Sequence, residues 1–309
     1  MTIPGKLTQA RTRDGRNIHP RLARQTTLWL GAFAVMFGYF LLRYVVLKLP
    51  ALPPYTVGPL TFNTFGLLVA MGILFGIHLT RQWCWHFDLA WPTMQVGVTW
   101  VLCGGFAMAH LMAIGESSPA RLFNPKDLLA MRSEFSSFGG FLGSTLAALY
   151  FCKRHALAIH STIDCLLYGF IGGWLFGRLG CFSVHDHPGG VTASPTGVLM
   201  QGVMRHDLGF YELMYTVVLF TTITVAIRRR KRFNGFVVAV TATSYSLLRF
   251  CLDFLRIGDS TYAGLTLAQW GCIPLFVLGV YTLLGGVWNR YTGLARLRSN
   301  EPTFRMSER

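Results

Sequence analysis

A chain of 309 residues that is 52% hydrophobic and only 13% charged, with a mean hydropathy of +0.43, does not have the composition of a soluble globular domain. Several runs of about 20 residues carry few charges, the length needed to cross a hydrocarbon layer, so the expected fold is all-α, a polytopic helical membrane protein. A net charge of +15 would point to nucleic acid in a soluble chain; here the basic residues sit in short loops and tails beside apolar runs, without interleaved aromatics, and nucleic acid is not an expected partner.

Taken in order, residues 1–26 form a basic tail with Lys6, Arg11, Arg13, Arg16, Arg21 and Arg24. Thr27 to Leu47 is too long for a signal-peptide core and is followed by no small-x-small cleavage site, so it reads as a retained first span within 27–50. A Pro-rich connection, Ala51 to Leu60, leads to spans at Thr64–Thr80 and Met94–Ile114. Glu116 to Ser137 is a long polar loop, and Phe138 to Cys152 a short, glycine-rich fourth span closed by Lys153 and Arg154. The fifth span begins at Ile163 and is expected to break at Gly180, giving a second long loop at 181–208. Spans at Gly209–Ile227, Gly235–Phe254 and Leu267–Val287 follow, the first stopped by the basic run 228–232, and 291–309 is a basic tail. Eight spans put both termini on one side, and the distribution of Lys and Arg makes that side cytoplasmic, with both long loops extracytoplasmic. The seven cysteines contain no CxxC pair and imply no disulfide framework.

Chemistry concentrates in Ile163 to Gly190. An arginine near bilayer depth costs roughly 2.5–3.5 kcal/mol on the mildest scale, so Arg178 needs a partner or a wet cavity. Arg249 lies in the seventh span, with Arg256 two turns on. Two guanidinium forks from separate helices are suited to clamp a phosphodiester entering from the lipid; the bland reading pairs each with a carboxylate, such as Asp253, Asp164 or Glu212. His185-Asp186-His187 is read as a general base with an orienting carboxylate, against an exposed loop with chance histidines; three ligand-type residues in one short stretch have poor mutual geometry for a metal, and no metal or cofactor is expected. Tyr245, one turn before Arg249, either bonds a substrate oxygen or belts the interface. Glu212 opens a helix, where it suits the dipole. The Gly139-Gly140 and Gly172-Gly173 pairs read first as close-packing positions.

Six short stretches, in order, resemble the prolipoprotein diacylglyceryl transferase family. GRLGCF at 177–182 is similar to its GRxGNF signature, VGPLTFNTFGLL at 57–68 to the stretch around its first span, and SSFGGFLG at 136–143 to SFHGGLIG. RHDLGFYE at 205–212 resembles RHPSQLYE, SYSLLRFCLDFLR at 244–256 resembles GYGxxRFxVEFFR, and LTLAQW at 265–270 the segment that follows. The similarity spans roughly 55–290, within an expected membrane domain of 51–290. It implies transfer of a diacylglyceryl group from phosphatidylglycerol to the lipobox cysteine of a preprolipoprotein in the bacterial inner membrane, glycerol phosphate leaving as a thioether forms. Arg178 and Arg249 then bind the lipid phosphate or ester, with Tyr245, Gly139, Gly140, Gly180, Cys181, His206, Tyr211 and Glu212 as further substrate-binding positions.

The chain departs from the pattern at the histidine of HGG, which is Phe138, at the asparagine of the signature, which is Cys181, at a first-span tyrosine, which is Phe65, and in SVHDHPGG after the signature. A positioned base contributes about 10²–10⁴ in rate. The expectation is that His185 or His187 takes over proton transfer with Asp186 orienting it. The other readings are a related enzyme with another acceptor, or an inactive relative that binds anionic phospholipid; a transporter is disfavoured because no inverted repeat is visible.

Overall fold

The computed structural model describes residues 20–57, 60–129, 135–258 and 261–299. The expected N-terminal tail up to residue 19, residues 130–134 of the loop from Glu116 to Ser137, and the tail beyond 299 lie outside the described residues. The helices are α1 (Pro20–Phe40, continued by a π-helical turn Leu41–Val46), α2 (Thr64–Trp83), α3 (Trp91–Ser117), the short α4 (Pro125–Leu129), α5 (Ser137–Arg154), α6 (Ile159–Val184), α7 (Leu208–Arg229), α8 (Phe236–Leu252) and α9 (Leu267–Ser299). Small antiparallel sheets are built from β1 (Tyr55–Val57) with β2 (Leu60–Phe62), from β3 (Pro188–Val191), β4 (Val198–Met200) and β5 (Val203–Asp207), and from β6 (Thr261–Tyr262) with β7 (Leu265–Thr266).

This is an all-α, multi-pass membrane protein. Among the described residues, seven helices are long and apolar enough to cross a membrane, against the eight expected. The eighth expected span is α5, an 18-residue helix that lies along α3, holds three glycines and ends on Lys153 and Arg154. Its glycines serve packing instead: a Cβ on Gly139 would come within 2.6 Å of the Met108 carbonyl of α3, and one on Gly143 would collide with the Gly104 carbonyl.

The central helix is α6, with 67% of its apolar window buried against 17% for α1 and for α9. It packs on α2 through glycines one turn apart on each helix. A Cβ on Gly173 would lie 2.6 Å from the Gly72 carbonyl, and one on Gly72 2.5 Å from that of Gly173, the close backbone approach that small-residue repeats permit in membranes. The helix does not break at Gly180 as expected but runs to Val184, where His185 takes a left-handed φ of 54°. Gly180 stays helical because its missing Cβ makes room for Phe65 and Leu68 of α2.

The polar segment after α6 is a folded cap. From Pro188 it forms a three-stranded antiparallel sheet in the order β3-β5-β4, with Pro188 opposite Asp207 and Val198 opposite Arg205. Helix α8 ends at Leu252, short of Arg256, which follows a 3₁₀ turn and makes a backbone bridge to Gly189. Asp164, considered above as an arginine partner, accepts from the backbone N–H of Gly235 (2.7 Å) and Val238 (3.0 Å) and so caps α8.

Helix α1 is built into the bundle: Phe33 meets Phe176 edge-on at 5.5 Å, and Tyr44 meets Phe182 at 5.5 Å. Arg81, Lys153, Arg154 and Arg228 cluster at one end of the bundle, at the C-termini of α2, α5 and α7. The ends of α6 and α8 and the start of α7 lie at the other.

The α2–α6 contact gives the first prediction. Gly173→Val should destabilise the detergent-solubilised protein by ~1–3 kcal/mol or more, the cost of overpacking a close contact, read as a lowered thermal-unfolding midpoint. Gly177→Ala, where an added Cβ meets nothing within 4 Å, should not lower it. Equal midpoints for both variants would contradict the packing account.

Candidate active site

Helix direction brings the charges together. Arg178 lies six residues before the end of α6, Glu212 is the fifth residue of α7 and Arg249 lies three residues before the end of α8. At 1.5 Å per residue all three are within roughly 9 Å of the same end of the bundle.

The Glu212 carboxylate lies between the two guanidiniums. Its Oε2 is 2.5 Å from Arg178 Nη2 and its Oε1 is 2.9 Å from Arg249 Nη1. Arg249 Nη2 also reaches Asp253 Oδ1 at 3.1 Å, one turn on. Asp253 accepts in addition from Thr266 Oγ1, whose backbone N–H donates to Gln269 Oε1 at 3.0 Å. Glu212 and Asp253 are 1% and 3% exposed, so both carboxyl groups are desolvated, and each has a guanidinium against it. Arg178 also lies 4.9 Å over the Trp174 ring, a cation–π contact, and Trp174 in turn meets Tyr245 at 5.6 Å. Tyr245 is thus beside the arginine pair, as expected from its spacing.

The pairing leaves donors over. Each guanidinium has five N–H groups; Arg249 Nη1 donates to Glu212 Oε1, while Arg178 Nη2 meets Oε2 as an ion pair. The buried Nε of Arg178 has no hydrogen-bond partner among the described residues. An anionic oxygen can therefore join the two guanidiniums while Glu212 keeps them in place.

The segment expected to supply a base is divided between two environments. His185 is buried, and its Nδ1 is 2.6 Å from Oδ2 of Asp207. Its ring packs on Tyr44 at 4.5 Å, and its buried Nε2 has no hydrogen-bond partner among the described residues. Asp207 N-caps α7, its Oδ1 accepting from Phe210 N–H at 3.2 Å. Burial pushes the Asp207 carboxyl above the usual aspartate range, against the hydrogen bond from His185 that lowers it. Asp186 and His187 are open instead, with Asp186 Oδ1 2.5 Å from His187 Nδ1. Cys181, one turn back on α6, brings its Sγ within ligand distance of these two, and Arg178 Nη1 donates to that sulfur at 3.6 Å.

The remaining candidates fall elsewhere. His206 Nδ1 is 2.6 Å from the Tyr211 hydroxyl, which also meets Thr196 Oγ1 at 3.2 Å, so this pair ties β5 to the start of α7. Gly139 packs against α3 and Gly180 against α2, while a Cβ added at Gly140 would reach the Ala109 Cβ at 3.8 Å. Phe138, which departs from the motif set out above, is exposed in the first turn of α5. Sequence reasoning missed Asp207 and Tyr44. The aspartate was legible as an N-cap residue before an apolar run; the contact from Tyr44, 139 positions from the Ser183 carbonyl it bonds, left no local signal.

The fold and site define a multi-pass membrane protein with a buried, carboxylate-bridged arginine pair near one end of its bundle. Residues 54–285 match the family described as prolipoprotein diacylglyceryl transferase, and the chain belongs to that family. It is similar to the phosphatidylglycerol--prolipoprotein diacylglyceryl transferase of Campylobacter jejuni subsp. doylei, 30% identical over 74% of this chain and 90% of the relative. It is 29% identical to the Rickettsia bellii protein of the same description over 74% of this chain and 93% of the relative, and 26% identical to that of Aliarcobacter butzleri over 70% and 84%. The matched region begins after α1.

Glu212→Gln leaves two buried guanidiniums sharing a neutral amide. Breaking a buried pair costs roughly 3–5 kcal/mol, so thermal unfolding in detergent should shift strongly downward, and anionic phospholipid should recover more of the loss than zwitterionic lipid. An unchanged midpoint would show that the bridge does not hold the arginines.

Proposed function

We propose that this protein transfers the diacylglyceryl group of phosphatidylglycerol to the lipobox cysteine thiol of preprolipoproteins. The observation that carries this reading is the convergence of Arg178 and Arg249, from separate helices, on one carboxylate with N–H donors to spare. The lipid phosphate takes those donors. The acceptor sulfur attacks the glyceryl carbon that carries the phosphate, the C–S bond forms and the C–O bond breaks. Its electron pair leaves on the phosphate oxygen of glycerol phosphate, where the two guanidiniums stabilise the growing charge without reorganising. Tyr245 lies beside them as a donor to a lipid oxygen, and Gly139, Gly140, Gly180, His206 and Tyr211 shape the surrounding walls.

The thiol arrives at Asp186 and His187, the open part of the segment, with Cys181 beneath them; this group handles the thiol's proton. His185, fixed by Asp207, holds the segment in register. The protein sits in the bacterial inner membrane with both termini cytoplasmic, since the basic ends of α2, α5 and α7 face the cytoplasm, and the site opens toward the face where an exported lipobox arrives. Phe138 and Cys181 at two family positions favour a second reading, a lipid-binding relative with another acceptor or none.

Incubation with labelled phosphatidylglycerol and a lipobox peptide, read by mass spectrometry, tests the assignment. Thioether product is expected from the wild type. Arg178→Ala and Arg249→Ala should each lower kcat/KM by about 10²–10³ or more, the scale of losing one stabilising donor. Arg→Lys should not restore it, because a point charge cannot replace the fork. Replacing His185 and His187 together should lower the rate by about 10²–10⁴. Full transfer in the arginine variants would overturn the shared-site reading, and bound lipid without turnover would favour the second.

A further inference from the structure

His185, Asp186 and His187 do not face one another as a set, because His185 turns inward to Asp207. The structure supplies a different third member. Helix α6 continues through Gly180, and that continuation places Cys181 under the two open residues, so that one ligand atom from each of Cys181, Asp186 and His187 lies within 4.8 Å of the others. We propose that Cys181, Asp186 and His187 hold a zinc ion whose open fourth position takes the acceptor thiolate. This proposal rests on the transferase reading and specifies how its thiol is ionised; it runs against the expectation from sequence that no metal is used.

The donor set selects the metal. A thiolate, an imidazole and a carboxylate together suit zinc, and three protein ligands with one open position is the arrangement of catalytic rather than structural sites. Ligand atoms on a tetrahedral zinc are roughly 3.3–3.7 Å apart, from bond lengths of about 2.0–2.3 Å. The widest spacing therefore closes by about 1 Å on binding, and Asp186 and His187, now 2.5 Å apart, open by a similar amount. Both stand on the cap segment just beyond the end of α6, where the backbone is not held in a helix. Burial fits as well: Cys181 is buried, whereas Asp186 and His187 are partly exposed on the side from which an acceptor approaches.

The chemistry fits the gap left by Phe138. A free thiol of pKa about 8.5 is only a few per cent ionised at neutral pH, and coordination to zinc deprotonates it outright. The acceptor RSH displaces a zinc-bound water, its proton passes to solvent at the open mouth, and a zinc thiolate remains. That sulfur's lone pair forms the C–S bond as the C–O pair departs with glycerol phosphate, with no change of oxidation state. The thioether product is a weaker ligand than the thiolate and leaves. Arg178 joins the two halves of the site, with Nη2 on Glu212 at 2.5 Å and Nη1 on Cys181 Sγ at 3.6 Å, so the ion site and the arginine pair share one guanidinium. Two anionic ligands neutralise the Zn²⁺ charge, which makes the ion compatible with that arginine.

The test uses the full chain in detergent, stripped with a chelator and titrated with Co²⁺ and then Zn²⁺. The wild type should bind about one equivalent with a thiolate-to-cobalt charge-transfer band, which zinc abolishes. Cys181→Ser should lose the band, Asp186→Asn and His187→Gln should weaken binding tenfold or more, and Cys103→Ser, at an exposed cysteine, should behave as wild type. Because Cys181 is buried and its variant can misfold, the two open positions decide independently: unchanged affinity in both, or no band in the wild type, overturns the site. Full-rate transfer by metal-free protein overturns the role in thiolate formation while leaving the transferase reading intact. Metal bound at these residues with no transfer to a lipobox peptide in any metal state supports the ion site and defeats the transferase reading.

Discussion

A single carboxylate determines the arrangement of this protein's charged interior. Glu212 is almost inaccessible to solvent, and neither it nor the guanidiniums of Arg178 and Arg249 would be stable there alone. Bridged, and with Asp253 on the far side of Arg249, they form a fixed ion-pair network of two guanidiniums and two carboxylates. The bridge also links α6, α7 and α8 near one end of the bundle, so the group proposed to take the phosphate also sets the spacing of the helices around it. Asp253, itself held by Thr266, fixes the far side of Arg249.

Much of this was legible in the sequence, for identifiable reasons. Apolar runs of membrane length announced the helices, and the arginines were conspicuous because charge is costly at that depth. Their convergence followed from counting residues from helix ends once the order of turns was known. The errors arose where tertiary contacts override local signals. Gly180 looked like a break but is a packing glycine within a continuous helix. Residues 181–208 looked like a loop because a sheet with strands of three to five residues has too short a period to stand out.

The histidines show the same limit at the level of chemistry. Adjacent in sequence, His185 and His187 face different surroundings because His185 adopts a left-handed turn at the end of α6. One is buried against Asp207 and the Tyr44 ring; the other is open and paired with Asp186. Helix α1, outside the region matched by the family, takes part in this division. The Tyr44 hydroxyl donates to the Ser183 carbonyl at 3.0 Å, and Lys48 Nζ donates to the carbonyls of Pro195 and Gly197 at 2.8 and 2.5 Å. The first helix therefore buttresses the cap from which the open residues project.

The central claim is that one lipid phosphate is shared by two guanidiniums that Glu212 holds together. An experimental structure with bound phosphatidylglycerol tests it most directly. The account predicts phosphate oxygens within hydrogen-bonding distance of both Arg178 and Arg249, with Glu212 still bridging them. A phosphate seated elsewhere, or touching only one of the two arginines, would contradict it.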